Sequence, residues 1–443
     1  MIGTVEIKQD NVAKKFDSEK IGAGKGDNAQ KVLDLLMQLR KKVEESTILS
    51  RLKLNNGSNI FLVCFAVFFL YCFLRTTVIP LPVILITMMK YSAPAFGLII
   101  WFKILVFDVN TKRDLVNVVL LQMLGMVVAI YATIIGKLDN LTVYWLMIIG
   151  ARNVDFRRIA RLALLISVPV LVAVTLLSVT GVITDLVYFP DISPRHSFGI
   201  IYPTDYAAHW FFAASLWFWL KNGRLKWYEI SVFIALTAFL FVFCKPRLDC
   251  ICMLLLTAAG LLLNYKWTEK SVLRLRWTFV AVFLFFAAAA FILSIIYSPG
   301  LPLREYLNAR FNTIHSRFRI AYEMLCNYPF SFFGASFCEI GNGGSTVEPS
   351  KSQYSFIDIS YIKVYIRAGV IIFAGLMFLL TRFMYKRAKA KDAATLVVMS
   401  IIAMNCFVAH HLLDFSYNVF LLMLFAGVEF ESAKLKKKEQ ENE

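Results

Sequence analysis

The feature that most constrains this chain is a long succession of apolar runs of near-bilayer length, joined by short polar connections. They lie at 59–75, 80–107, 115–135, 141–151, 160–183, 205–220, 227–244, 249–265, 277–297, 356–380, 393–411 and 413–430. One bilayer crossing takes about 20 predominantly apolar residues in a helix. The pattern predicts an all-α polytopic membrane protein of about twelve transmembrane helices. Two runs fit loosely: 80–107 is long and carries Lys90 and Pro94, and 141–151 is short. Composition agrees, with 58% hydrophobic and only 17% charged residues, against ~45–50% and ~25% in soluble domains. A soluble enzyme, a secreted disulfide scaffold and an outer-membrane barrel are excluded, since a barrel shows short alternating segments.

The net charge of +17 invites a nucleic-acid reading, but its placement favours topology. Lys and Arg fill one alternating set of connections: Lys112 and Arg113; Arg152, Arg157, Arg158 and Arg161; Lys221, Arg224 and Lys226; Lys266, Lys270, Arg274 and Arg276; then Arg382 to Lys391 and the tail at 431–443. Basic connections mark the cytoplasmic side. Both termini are therefore expected in the cytoplasm, with no nucleic-acid partner. The polar extension 1–58 lacks the apolar stretch of a signal peptide, and its 29–45 segment puts Val32, Leu35, Leu36, Leu39 and Val43 on one helical face. The eight cysteines are scattered, mostly inside apolar runs; Cys326 and Cys338 could pair, a matter that spacing leaves open.

The opposite side has one long connection, 298–355, between the ninth and tenth spans. Ionisable residues that a bilayer makes costly also gather there. Arg195, Tyr202, Asp205 and His209 precede or open the span at 205–220; Arg247 and Asp249 lie in the turn before 249–265; Asp358, Tyr361 and Lys363 open the span at 356–380; His410, His411 and Asp414 mark the last turn. Within the long connection, 304–325 has helical periodicity, carrying Arg304, Arg310, His315, Arg317 and Arg319. Arg310 and Arg317 share one face. Guanidinium suits bidentate binding of phosphate oxygens. No DxD, HExxH or other metal-ligand spacing is present on this side, and no nucleophile elbow. The expected chemistry is therefore metal-independent and without cofactor, using arginines, His, Asp and Tyr.

These residues stand in an order that resembles the bacterial Wzy-type polysaccharide polymerases, relatives of the O-antigen polymerases and ligases. The family's R-x-S-x-G-x-x-x-P is matched by Arg195, Ser197, Gly199 and Pro203, and PRLD at 246–249 resembles its arginine turn. SRFRIAYEMLCNYPFSFFGASF resembles its loop helix followed by G-x-G, and IDISYIKVYIRAGVI its D-N-x-Y segment, with Asp358, Tyr361 and Gly369 in the matching places. The likeness runs over 59–430; Asp205, His209, Phe333 and Ala335 depart from it.

The resemblance implies a glycosyltransferase of the plasma membrane acting on its outer face. It would join undecaprenyl-pyrophosphate-linked oligosaccharide repeat units into an exopolysaccharide, capsule or O-antigen, among other assembly proteins such as a chain-length regulator. Arg195, Arg247 and Arg317 would bind the donor pyrophosphate and converge on one cavity, with His315 and Asp358 as further catalytic candidates. Arg304, Arg310, Arg319, Tyr202, Asp205, His209, Asp249, Tyr361, His410 and His411 would contact substrate. A ligase or a flippase is the alternative. Ligases carry His where this chain has Asp358, and transporters often show repeated halves, for which this sequence gives no sign.

Overall fold

A computed structural model describes residues 28–136, 141–189, 193–300, 302, 305–306, 312–344 and 354–428. The fold is mostly helical. A first helix, α1, covers 28–45 and is followed by α2 (Thr47–Arg51) and α3 (Gly57–Leu74). The bundle continues through α4 (Val83–Phe107), α5 (Lys112–Gly136), α6 (Leu141–Gly150), α7 (Phe156–Val179), α8 (Pro203–Leu220), α9 (Trp227–Phe243) and α10 (Arg247–Leu262). It ends with α11 (Lys266–Arg274), α12 (Val282–Ile296), α13 (Asn312–Asn327), α14 (Ser360–Lys389) and α15 (Ala393–Cys406). Two short strands, β1 (Val187–Tyr188) and β2 (Arg195–His196), pair antiparallel ahead of α8, with Tyr188 opposite Arg195.

Among the described residues five helices are long and apolar enough to cross a membrane, and a sixth forms if α10 and α11, bent by 115°, are taken together. Several of the twelve expected runs take shorter or broken forms. α6 has 10 residues and at 1.5 Å per residue is about 15 Å long, half a bilayer. The run 80–107 is one helix with Pro94 inside it. Apolar side chains face outward on α5, where Leu124 is 67% and Ile134 71% exposed; only an apolar surrounding removes the cost of such a surface. Local signals start the helices where they do. Asn56 accepts from the Asn59 amide at 2.9 Å, Asp155 caps α7, Asp392 caps α15, and Pro203 opens α8.

The last expected span, 413–430, is corrected by the structure. Over 411–428 the described chain has only two 3₁₀ turns, His411–Leu413 and Val419–Leu424, yet it is largely buried. Local hydrogen bonds explain this. The Asp414 carboxylate accepts from the Ser416 amide and hydroxyl, and the Asn418 side chain donates to Leu412 O at 3.0 Å. Such bonds offer the backbone an alternative to the helix ladder. The far end of the segment pairs with the start of α7: Gly427 N donates to Val154 O at 2.8 Å and Phe156 N to Gly427 O at 2.9 Å.

A second irregularity is a break in α14. Gly369 has φ 83° and ψ 169°, so the helix is two helices across a kink. The segment 331–335 lies against the break and satisfies its backbone. Ala335 N donates to Ile366 O at 2.8 Å, and Val370 N to Ser331 O at 2.9 Å. Gly334, at φ 94°, touches the Arg367 carbonyl so closely that a Cβ there would overlap it, and a Cβ on Gly369 would overlap the Phe332 carbonyl. Non-helical backbone at membrane depth is tolerated only where protein covers it.

At the basic end, Lys103 is 1% exposed and donates to Asp108 Oδ2 at 2.7 Å and to the carbonyls of Gly150 and Arg152. It thereby caps the C-terminus of α6.

Candidate functional site

The site is built where α8, α10 and α14 begin and α15 ends. The connection before α8 is held by Asp185, whose carboxylate accepts from the amides of Ser197 at 3.1 Å and Phe198 at 2.8 Å and bonds His196 Nδ1 at 2.6 Å. The chain then turns through positive φ at Phe198 and Gly199, and Gly199 O accepts from Val78 N. This fixes the β2 residue Arg195. Its Nε donates to Cys244 O at 2.9 Å, and its guanidinium lies 5.8 Å over the Tyr202 ring.

Arg317 comes from the other connection. The helix α13 is amphipathic: Phe318 and Ala321 are buried, and Phe318 lies against Tyr297 and Phe407. Burying that face turns Arg317 to Asp358, with Nε and Oδ2 3.4 Å apart. Arg195 and Arg317 both act electrostatically on Asp249, which also accepts from Asn405 Nδ2 at 2.9 Å. Two arginines from separate connections thus bear on one buried carboxylate.

Asp205 lies in the first turn of α8, with its Oδ1 4.0 Å from His411 Nε2. Asp205 is 7% exposed, and its side chain makes no hydrogen bond among the described residues. His411 is 2% exposed, and its Nδ1 is buried without a partner among the described residues. His410 stacks beside it at 4.1 Å between ring centroids. Lys363 pairs with Glu339 at 3.1 Å, and the charges of Lys363 and Arg317 reach both histidines. In the flanking connections, burial pushes the Tyr202 phenol up against the pull of Arg195, and burial likewise raises Tyr354. Burial also pushes the Asp358 carboxyl up from its ordinary range, opposed by Arg317 and Lys363.

The sequence shows no metal-ligand spacing, but the fold does assemble one set. Single ligand atoms of Asp205, His410 and His411 all lie within 4.8 Å of one another. Motif spacing misses it because α8 and the last turn are far apart in sequence. The set fits a dication poorly. Ligand atoms around tetrahedral zinc at ~2.0–2.1 Å stand about 3.3 Å apart, closer than the 4.0 Å of Asp205 and His411. Two cations also reach the imidazoles. A buried acid–base pair fits the arrangement better.

Other expected residues take different places. Arg247 opens α10 and is exposed. His315 shares a short hydrogen bond with Tyr297 at the end of α12. Arg319 pairs with Glu323 along its own helix at 2.9 Å. His209 is buried, bonded to Thr76 at 2.8 Å and stacked on Tyr417. Tyr361 is wholly buried and donates to Ala403 O at 2.9 Å, a packing role. Arg304 and Arg310 lie outside the described residues. Cys326 and Cys338 are both free and exposed. Sequence reasoning passed over Glu339, Asn405 and Tyr354, whose residue types carry no motif. Compared with family models, curated proteins and solved structures, the chain matches none.

Proposed function

We propose that the chain is a membrane-embedded glycosyltransferase that joins polyprenyl-pyrophosphate-linked repeat units into a surface polysaccharide. The reading begins from apolar helices long enough to cross a bilayer and from a charged group gathered at one end of them. The observation that carries it is the Arg317–Asp358 pair, with Asp249 within electrostatic reach of both Arg317 and Arg195 and the Asp205–His411 pair beside it. In the reaction the acceptor hydroxyl oxygen bonds to the anomeric carbon of the donor as the bond from that carbon to the pyrophosphate oxygen breaks. The electron pair and negative charge go to the pyrophosphate, and the hydroxyl proton goes to a base. Arg195 and Arg317 are suited to hold the departing anion, since fixed charges in a dry site stabilise charge as it develops. The Asp205 carboxylate, with His411 beside it, is suited to take the proton. Asp358, in the place where the related ligases carry His, is the reason for choosing a polymerase.

The basic connections would then face the cytoplasm and the site the outside. Undecaprenyl-pyrophosphate oligosaccharides are the proposed donor and acceptor, and other polysaccharide-assembly proteins the proposed partners. The test is to incubate purified protein in proteoliposomes with lipid-linked repeat units and resolve the products. A ladder of lengthening lipid-linked glycans is expected. Unchanged substrate, with protein that is correctly inserted, would overturn the reading.

A further inference from the structure

The opposite, basic end of the bundle carries a cavity of about 540 Å³. Three separate connections line it with cations. Arg224 comes from the turn after α8, and Lys391 from the turn after α14. Lys266, Lys270 and Arg274 recur every four residues, so they share one face of α11. Among the described residues the only acid in the lining is Glu269, which is taken by Arg224 at 2.6 Å. Arg276 is engaged as well, donating to Leu273 O at 2.8 Å and lying over Trp277.

Lys266, Lys270, Arg274 and Lys391 are left with no side-chain partner among the described residues. Some other cations at this end are held: Arg152 by Asp114 at 3.0 Å, Arg158 by Asn59 at 2.6 Å, and Arg387 by Val428 O at 2.8 Å. Four cations around one concavity repel one another unless an anion occupies it. Lys391 closes α14 with φ 57°, in the left-handed region, as residues just past helix ends commonly do, which fixes its place in the lining.

The setting identifies the source of the anion. α11 leaves α10 at 115°, so it lies across the direction of the bundle. Tyr265, Trp267 and Trp277, on and beside it, are exposed, as aromatic side chains are at headgroup level. Taking α10 as a membrane span, on which this step rests, the cavity opens at the depth of lipid phosphates. We infer that it binds the headgroup of an anionic phospholipid, and that its four free cations match a headgroup carrying two phosphates.

The probe is a cardiolipin. Full-length protein in detergent is titrated with cardiolipin, phosphatidylethanolamine or inorganic pyrophosphate, and bound lipid is counted by native mass spectrometry. Reconstitution into nanodiscs separately checks that the chain inserts at all. Wild type should bind one cardiolipin saturably and ignore phosphatidylethanolamine. Lys270→Glu with Arg274→Glu should weaken binding about twenty-five-fold or more, since about fivefold goes with each basic charge lost at a membrane surface. Arg113→Glu, at the same end but outside the cavity, should leave it unchanged. Lys391→Asn suits the left-handed backbone, so it should fold at least as well as wild type and still bind less. Cardiolipin binding that is equal in wild type and the double variant would overturn the inference. Full competition by inorganic pyrophosphate would assign the site to a soluble anion and overturn the lipid assignment. Failure to enter nanodiscs would instead count against the membrane reading.

Discussion

Arg317 Nε stands 3.4 Å from Asp358 Oδ2, joining the helix of the long connection to the residue just ahead of α14. Each group is therefore provisionally paired, and a stronger anion can take the guanidinium from the carboxylate. Removing Arg317 or Arg195 as Ala should lower turnover by about 10²–10³, roughly 3–4 kcal/mol of lost stabilisation of the departing charge. Lys should restore only part, because it cannot chelate two oxygens in a plane. Arg247, exposed at the head of α10, is tested alongside. The measurement is the rate of polymer formation from lipid-linked repeats at equal protein. Near wild-type rates in both Ala variants, with normal expression, would remove the arginines from the mechanism.

Asp358 gives a pH dependence. Burial raises its carboxyl while Arg317 and Lys363 oppose the rise. As pH falls, this group takes up its proton before an ordinary aspartate would, and its hold on Arg317 is lost. Activity should therefore decline on the acid side at a pH above the usual carboxylate range, about 3.9. In Asp358→Asn that limb should vanish, leaving a lower and flatter profile. A limb that survives unchanged in the variant belongs to another group.

Chelators should have no effect. Asp205 and His411 stand farther apart than the ligands of a tetrahedral zinc do, and Lys363 and Arg317 bear on the imidazoles. Turnover in excess EDTA should match the untreated rate. Loss in chelator, restored by added zinc, would show that the three-residue set does hold a metal.

Topology can be read with the native thiols. Cys326 and Cys338 are free and exposed on the long connection. A membrane-impermeant maleimide applied to intact cells should label them and leave a cysteine placed at Lys389 untouched. Labelling at 389 alone would invert the orientation.

Helices were legible wherever apolar runs coincided with caps, as at Asn56 and Asp155. The last run was misread because hydropathy reports burial, and Asp414, Ser416 and Asn418 spend their side chains on local bonds that no hydropathy window registers. Part of the site was legible too. Charged residues in a bilayer are costly wherever they lie, so Arg195, Asp205, Arg317, Asp358 and His411 stood out one by one. Their pairing did not. That Arg317 meets Asp358 while Arg319 stays with Glu323 on its own helix is decided by which face of α13 is buried. Tyr361 and His209 looked alike as polar residues near the same end, but packing against Ala403 and Tyr417 withdrew both into the interior.

The contact between Gly334 and Gly369 should not tolerate a side chain. Both glycines have positive φ, and a Cβ on either would run into backbone. Gly334→Ala or Gly369→Ala should cost more than the ~1–2 kcal/mol of a left-handed alanine, because carbonyls must also separate. Lower yield and an earlier thermal transition in detergent are expected. Unchanged stability would mean that the break in α14 can be repaired locally.

That break also sets an order of events during synthesis. A helix that closes its own hydrogen bonds can enter a bilayer as soon as it emerges, but α14 cannot do so without open backbone groups around Gly369, about a third of the way along it. Its partners, 331–335, are upstream, so they have already been made when 366–371 leaves the ribosome. The preceding connection acts as a template waiting for the helix. A chain shortened before 331 but resumed at 354 would present α14 with nothing to complete it.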